Sequence, residues 1–420
     1  MIDHLLGSVD ELKPQETVVV VGAGREQLET ALGDRAQTCL QEPQLGTGHA
    51  VQMAEKPLAN FSGDVLILYG DVPFVRADTM RAMLERLNAD DAPAVVVLGF
   101  EPDDALQYGR VISDDVGGIV KMVEYKDASE AERGCRICNS GLMAAKSADL
   151  FALLARVGND NAQEEYYLPD IVNIAIADGR ICAVVITDDP DEVAGINSRA
   201  ELAEAEGRWQ DVRRQQAMAD GATLKAPETV YFSWDTTLGR DVTIEPNVVF
   251  GPGVSIADGV HIKSFTHLEG ATLARGVQAG PFARLRPGAI LEEDAFIGNF
   301  VEMKKAVLGK GAKASHLSYI GDASVGAGAN IGAGTITCNY DGYFKYQTVI
   351  GERAFIGSNS ALVAPVNIGA DAIVAAGSTV SRDVGAGELR MVRAEQLVKL
   401  GWADRFHDTM KKKKAAAKKS

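Results

Sequence analysis

From about residue 228 onward the chain keeps a beat of six. Apolar residues fall at Ile244, Phe250, Ile256, Ile262 and Leu268, then at Ala279, Leu285, Leu291, Ile297 and Met303, at Ala314 and Ile320, and again at Ile350, Ile356, Leu362, Ile368, Val374 and Val380. Four places after most of them stands a small or β-branched residue, as in "IADGV", "LRPGA" and "IGADA". This is the signature of a hexapeptide-repeat parallel β-helix, in which hexads close a triangular coil and stacked coils bury the aliphatics as a ladder. The pattern does not carry the hand of the coil, and the general preference for parallel crossovers is right-handed.

The first 196 residues have a different texture. Short apolar runs such as "TVVVV", "DVLILYGDVP", "PAVVVLGF" and "RICAVVIT" alternate with helix-like stretches such as "ADTMRAMLERLNA" and "SADLFALLARV". Alternation of that kind predicts an α/β domain with a largely parallel, Rossmann-like or mixed sheet, whose ligands bind at the carboxyl ends of the strands. "VVGAGREQ" is not a dinucleotide fingerprint, because Gln27 stands where the third glycine is needed. Residues 197–227 read as a connecting helix opened by Ser198 and Glu201 at capping-box spacing. The β-helix then occupies 228–400, and 401–420 is a basic tail best explained as a solvated end.

A formal net charge of −16 argues against non-specific adhesion to nucleic acid or anionic lipid, which relies on Lys and Arg neutralising phosphates. Five cysteines give no disulfide framework, and "CRIC" (Cys135, Cys138) lacks the second pair that a zinc site needs. "MIDHLLGSVDELKP" has neither the basic nor the apolar region of a signal peptide, and no run is apolar enough to span a bilayer. The expectation is a cytoplasmic enzyme with small-molecule substrates and no nucleic-acid or membrane partner.

Within the beat, "AKASHLSYIG" puts Ala314 and Ser318 inward, which leaves His316 and Leu317 at a corner and turns Tyr319 away from the core. Arg286 and Lys304 each follow an inward residue by one place and stand eighteen residues apart, so they stack on one edge as a pair of cations suited to a phosphate. The beat breaks at "TITCNYDGYFKYQT", where a loop with Asn339, Tyr340 and Lys345 must leave the prism. Loops thrown from a rigid solenoid often carry function. The plainer readings are a solvated polar corner for His316 and a tolerated insertion for the loop.

The run "GPFARLRPGA…GNFVEMKKAVLGKGAKASHLSYIGDASVGAGANIGAGTITCNYDG" closely resembles the bacterial bifunctional N-acetylglucosamine-1-phosphate uridyltransferase/glucosamine-1-phosphate acetyltransferase family. "LQEPQLGTGHA", "LYGDVP", "YGRV", "VEYKDA" and "CNSGL" resemble its N-terminal half. The resemblance implies a left-handed coil, a homotrimer, and synthesis of UDP-N-acetylglucosamine for cell-wall and lipopolysaccharide precursors. For acetyl transfer it implies His316 as general base, with Arg286, Lys304 and Lys345 on the sugar phosphate. Tyr319, Asn330 and Asn339 would orient the sugar and its amine, the backbone of Tyr340 would steady the oxyanion, and Ala333, Ser358, Ala376 and Arg393 would line the acetyl-CoA site. Because His316 and the Arg286/Lys304 edge fall on different faces, the site is expected to be completed by a second chain.

For uridylyl transfer from UTP the resemblance implies Mg²⁺ at Asp71 and Asn197. Gln41, Gly46 and Thr47 would contact the nucleotide, and Gly109, Glu124 and Asn139 the sugar. Asp71 as a turn cap and Asn197 as the residue before the capping box are the plain alternatives. The family's Gly-rich "LAAGxGTRM" loop, which holds the triphosphate, does not occur in this numbering, since Met1 aligns some thirty-odd residues into the family's domain. The expectation is that the polypeptide beginning at Met1 acetylates glucosamine-1-phosphate and makes little UDP-sugar, the reading frame upstream of Met1 being the place to look for that loop. Rival readings are an acetyltransferase alone, a zinc hydratase using His261 and His267, and a non-catalytic trimeric scaffold.

Overall fold

The computed structural model describes residues 1–105, 108–115, 117–161 and 163–417, which form two compact units, 1–205 and 206–420.

The first unit runs α1 (Ile2–Asp10), β1 (Val18–Val21), α2 (Arg25–Leu32), β2 (Gln37–Leu40), α3 (Thr47–Met53), β3 (Asp64–Ile67), α4 (Ala77–Leu87), β4 (Val95–Phe100), β5 (Arg110–Ser113), β6 (Ile119–Val123), α5 (Glu130–Arg133), β7 (Cys138–Lys146), α6 (Ser147–Leu154), α7 (Asp170–Ala177) and β8 (Cys182–Thr187). β1 and β2 form a parallel pair of their own. The main sheet has the order β6-β5-β7-β4-β8, with β3 also paired to β7. All of β4 is buried, and its residues alternate between two cores. Val95 and Val97 pack with Leu150 and Leu154 of α6 and Ile171 of α7, whereas Val96 and Leu98 pack with Met80, Met83 and Leu87 of α4. Period-two alternation with helices on both faces is the α/β layering the sequence predicts.

Of the two forms the sequence predicts, the sheet takes the mixed one. β4 and β8 are parallel, but β7 runs antiparallel to β3, β4 and β5. β5 and β6 make an antiparallel hairpin, and only the short α5 separates β6 from β7. Because both are antiparallel to β5, β6 and β7 run in the same direction on either side of it.

α8 (Arg199–Ala219) follows, with Ser198 and Glu201 exchanging capping bonds at its start. In the second unit its last turns close the first coil of the prism. Gln210 both donates to Phe232 O at 2.7 Å and accepts from Phe232 N at 2.9 Å, while Arg214 Nε donates to Val230 O at 2.9 Å. A solenoid needs such a cap, because its end rung otherwise faces water. The first strand of the ladder is Thr223–Leu224, ahead of residue 228, since Leu224 already pairs in register with Ile244.

From there to Leu389–Arg390 every strand pairing is parallel and joins residues one coil apart. One face carries the column Ile262, Ala279, Ile297, Ala314, Ile331, Ile356 and Val374. The next carries Leu268, Leu285, Met303 and Ile320, and the third Leu273, Leu291, Leu308, Val325 and Ile350. These columns are buried throughout and form one continuous core. After the first coil, where Leu224 pairs with Ile244, register is sixteen to eighteen residues per coil, except where Ser324 pairs with Val349, Asn330 with Phe355 and Ile336 with Ala361. Those longer steps absorb the loop that breaks the beat. Corner residues take the left-handed conformation, among them Phe265, Phe282, Phe300 and Leu317, with φ of 60°, 54°, 58° and 51°.

After Arg390 the chain is exposed, and α9 (Trp402–Ala417) covers most of the basic tail; residues 418–420 of that tail lie outside the described residues.

Truncating a rung should cost far more than truncating an outward neighbour. Leu285→Ala is expected to destabilise the prism by about 2–5 kcal/mol in denaturant unfolding. Ile290→Ala, at a position 42% exposed, is expected to stay within about 0.5 kcal/mol.

Candidate active sites

In the first unit the sequence-derived residues gather along one rim of the main sheet and at the end of the separate β1–β2 pair. Gln41 follows β2, Asp71 lies beyond β3, Glu124 follows β6, and Asn197 lies beyond β8. Asn139 sits near the start of β7, and because β7 is antiparallel its start lies at the rim where its neighbours end. The mixed sheet therefore serves the site.

Gly109, Glu124 and Asn139 line one recess with Arg110, Tyr167 and Asp170. Asn139 N donates to Gly109 O at 2.9 Å, and a Cβ on Gly109 would meet Glu124 Oε2 at 3.4 Å. Burial, aided by Asp127 and Asp170, pushes the Glu124 carboxyl above its ordinary value, and burial does the same to Asp170. An acid-lined, half-buried recess suits the hydroxyls of a sugar, which can donate to both carboxylates.

Gln41, Gly46 and Thr47 form a second group. Gln41 Nε2 donates to Gly46 O at 2.9 Å, and Thr47 Oγ1 accepts from Leu168 N at 3.0 Å. Gly46 has φ +104°, and a Cβ there would lie 2.7 Å from Tyr166 O, so only glycine fits. Tyr69, which the sequence reading did not single out, ties the groups together. Its ring packs on Gly141, its hydroxyl lies near Thr47, and burial foremost, with Asp71 and Glu124 adding to it, pushes its pKa up to about 12. It lies in the quoted "LYGDVP", and a polar ring two places before a rim carboxylate was the available signal.

Asp71 and Asn197 converge. A Cβ built on Gly195 would lie 3.5 Å from the Asn197 carboxamide and 3.9 Å from the Asp71 carboxylate, and Ile196 N donates to Asp71 O at 2.9 Å. A carboxylate beside a carboxamide is a hard oxygen set that fits Mg²⁺, an ion that takes few protein ligands and fills its sphere with water and phosphate. Glu192, only 3% exposed, locks the two segments together: it accepts from Arg76 N at 2.6 Å, the Arg76 guanidinium at 3.0 Å and Thr187 Oγ1 at 2.7 Å.

In the second unit the residues fall on two edges. The first carries the cations. Arg286 stacks over Lys304, and Lys304 pairs with Gly321 one coil further on, where the Tyr319 ring folds back across the glycine. The loop brings Lys345 to the same place. Lys345 first, then Arg286, hold the Lys304 ammonium below the usual lysine range. Three cations gathered without a full complement of anions leave a site that an incoming phosphate neutralises. Glu302, unforeseen from the sequence, aligns Arg286 at 2.8 Å. Asn339 donates to Asp322 beside this edge, and Tyr340 is bridged to Lys345 across the loop. Asp341 pins that loop, accepting from Tyr343 N at 2.8 Å, Phe344 N at 2.7 Å and Tyr346 Oη at 3.0 Å.

The second edge carries His316. It is exposed, and its Nδ1 lies 2.6 Å from Asn299 Oδ1 on the coil before. Register then sets Ala333, Ser358 and Ala376 in one column below it, each two places after Ile331, Ile356 and Val374. Backbone bonds run down the column, Asn359 N to Ala333 O at 2.7 Å and Gly377 N to Ser358 O at 2.8 Å. Arg393 closes it with Nη1 donating to Ala376 O at 2.9 Å. Small side chains stacked below an exposed imidazole form a shallow strip along which an extended ligand can lie. Asn330 stands apart from the cations, on the face that carries Lys313 and Phe355. His261 and His267 lie on different faces, in separate sheets. Asn299, Glu302 and Asp322 were open to the same repeat arithmetic that found Lys304, since each stands one coil from a residue already named.

The description "MobA-like NTP transferase domain" matches residues 1–116, "Bacterial transferase hexapeptide (six repeats)" matches 235–270, and "Hexapeptide repeat of succinyl-transferase" matches 347–382. A nucleotidyltransferase-type α/β unit followed by a left-handed hexapeptide β-helix is thus the class that fold and sites define. Among curated relatives, the chain is 76% identical over 418 residues to "Bifunctional protein GlmU" of Novosphingobium aromaticivorans, covering 100% of this chain and 92% of that protein. The identically described protein of Sphingopyxis alaskensis is 73% identical over 419 residues, and that of Zymomonas mobilis 56% over 416, with 100% and 98% of this chain and 92% of each relative covered. The chain belongs to the bifunctional GlmU family.

Removing the Glu192 latch tests how the first rim is held. Glu192→Ala leaves Arg76 N and the Thr187 hydroxyl without their acceptor, and is expected to lower stability in denaturant melts by about 1–3 kcal/mol. Glu192→Gln, which keeps an oxygen acceptor, is expected to lose less.

Proposed function

We propose that this chain transfers the acetyl group of acetyl-CoA to the amine of glucosamine-1-phosphate on its prism, and a uridylyl group from UTP to N-acetylglucosamine-1-phosphate on its α/β unit. Family membership supports both reactions. The observation that carries the acetyl half is the pairing of a three-cation edge with an exposed His316 heading a column of small residues.

Arg286, Lys304 and Lys345 hold the 1-phosphate, with Glu302 keeping the guanidinium in line. Tyr319, Asn330 and Asn339 orient the sugar and its amine. Acetyl-CoA lies along Ala333, Ser358 and Ala376 toward Arg393. His316 takes a proton from the amine as its nitrogen attacks the thioester carbonyl, a role worth about 10²–10⁴-fold. The tetrahedral oxyanion is met by the Tyr340 backbone amide. Collapse breaks the carbon–sulfur bond, the amide remains, and the CoA thiolate leaves with a proton.

The amine and the phosphate sit on neighbouring carbons of the sugar, so base and cations must nearly touch across it. On one prism they stand a face apart. The five backbone steps from His316 to Gly321, the level of Lys304, span up to about 16 Å at about 3.3 Å per residue. A second copy therefore supplies one half of each site, and three copies close the ring. An apolar seam beside His316 supports this reading: Phe265, Phe282, Phe300 and Leu317 stack along the corner at 52%, 46%, 55% and 60% exposure, with ring centroids 4.8 and 5.3 Å apart. Exposed apolar stripes of this kind mark contact surfaces.

On the α/β unit Mg²⁺, held by Asp71 and Asn197, would supply charge neutralisation at the phosphates when bound. Of the residues present in this numbering, Gln41, Gly46 and Thr47 seat the nucleotide, and Gly109, Glu124 and Asn139 seat the sugar. The cytoplasm, where acetyl-CoA and UTP are made, is the compartment that suits both reactions. No described helix is long and apolar enough to cross a membrane.

His316→Ala is expected to lower kcat for acetyl transfer by about 10²–10⁴-fold with the trimer intact, read by thiol release from acetyl-CoA. Unchanged turnover would leave a scaffold as the better reading. Phe282→Asp is expected to convert the trimer to monomers in light scattering and abolish acetyl transfer together with assembly. A fully active monomer contradicts the shared site.

A further inference from the structure

We propose that Asn299 is a positioning residue for acetyl transfer: its carboxamide oxygen holds His316 in the tautomer that carries the ring proton on Nδ1 and leaves the lone pair on Nε2. The proposal rests on the reading of His316 as the base.

Three features of the coil bring this about. Asn299 and His316 are register partners, one directly over the other, at the ends of strands Phe296–Asn299 and Lys313–His316. The coils approach closely at that point, because residue 298 is a glycine whose Cβ would fall 2.0 Å from Ser315 O. Asn299 grips its neighbour twice: its own carbonyl accepts from Leu317 N at 3.0 Å, and its side-chain oxygen meets His316 Nδ1 at 2.6 Å. A carboxamide oxygen can only accept, so Nδ1 must donate. The lone pair then belongs to Nε2, the nitrogen available to take a proton from an amine.

The chemistry of the partner matters as much as its place. A carboxylate at 299 would also fix the ring, but its charge would favour the imidazolium and so withhold the free base near neutral pH. A carboxamide orients without that cost. The titratable groups on the elements around the ring are Lys313 on its own strand, Tyr319 on the next, and Glu302 one coil from Tyr319. The coils on either side present Phe296 and Asn299, and Asn330 and Ala333. Rotating the carboxamide would put its NH₂ against Nδ1 and reverse the tautomer, so the proposal selects one of two distinguishable states.

The test uses the full chain in its native assembly. With ¹⁵N-histidine labelling, the two ring nitrogens of His316, assigned by comparison with His316→Ala, should show a protonated Nδ1 at a pH where the ring is neutral. Asn299→Ala should lower kcat for acetyl transfer roughly 10–100-fold through loss of ring orientation, with KM for both substrates within about twofold. Asn299→Asp should keep the orientation and move the acidic limb of the kcat/KM profile to higher pH by about one unit. A merely structural role would not move that limb. The proposal is overturned if the unsubstituted protein carries the His316 proton on Nε2, or if both Asn299 variants match the parent in rate and pH profile while His316→Ala is inactive. If His316→Ala itself retains full acetyl transfer, it is the base assignment that fails.

Discussion

Successive coils of the prism are bonded backbone to backbone, with a register of seventeen or eighteen residues through the coils that carry Asn299, His316 and Ala333, and every functional statement about the second unit depends on that constraint. Once rungs such as Ile297, Ala314 and Ile331 are stacked inward, the residue two places on has no choice of direction. Asn299, His316 and Ala333 become one column, and Leu285, Met303 and Ile320 fix Arg286 and Lys304 as another. A solenoid of this kind converts sequence spacing into distance with little room for adjustment. It also holds its site rigid before any ligand arrives, which is what general-base catalysis requires of the base.

The α/β unit solves the same problem differently. No single column exists there; residues from β2, β3, β6, β7 and β8 reach the rim independently, and cross-bracing holds them. Glu192 ties the segment after Asp71 to the segment before Asn197, and the Tyr69 ring packs on Gly141 within reach of the Asp71 and Glu124 charges. Reversing β7 brings Asn139 to that rim, so one antiparallel strand in the sheet is part of the site's construction.

Legibility in the sequence followed this difference. Every apolar residue named on the six-residue beat is a buried rung, because a period-six constraint acts on each rung separately and leaves its mark at each. Ala314 and Ser318 point in and His316 out for the same reason. The sense of β7 left no such mark, since a buried strand reads alike in either direction. Tyr69 has partners distant in sequence that residue type alone does not announce, whereas Glu302 and Asp322, one coil from Tyr319 and Asn339, lie within reach of the repeat spacing. The start of the ladder was set at 228 although Leu224 already belongs to it, because the first rung lies where the helical pattern has only just ended.

The central claim is that base and cations of one acetyl-transfer site come from different chains. It is tested most directly by mixing two inactive proteins, one carrying His316→Ala and the other Arg286→Ala with Lys304→Ala, and allowing the subunits to exchange. Mixed assemblies then contain sites with an intact imidazole from one protomer facing an intact cation edge from its neighbour. The account predicts that acetyl transfer reappears on mixing and grows with the extent of exchange. Mixed assemblies that form, as followed by mass, but stay inactive would contradict it and place both groups of each site on a single chain.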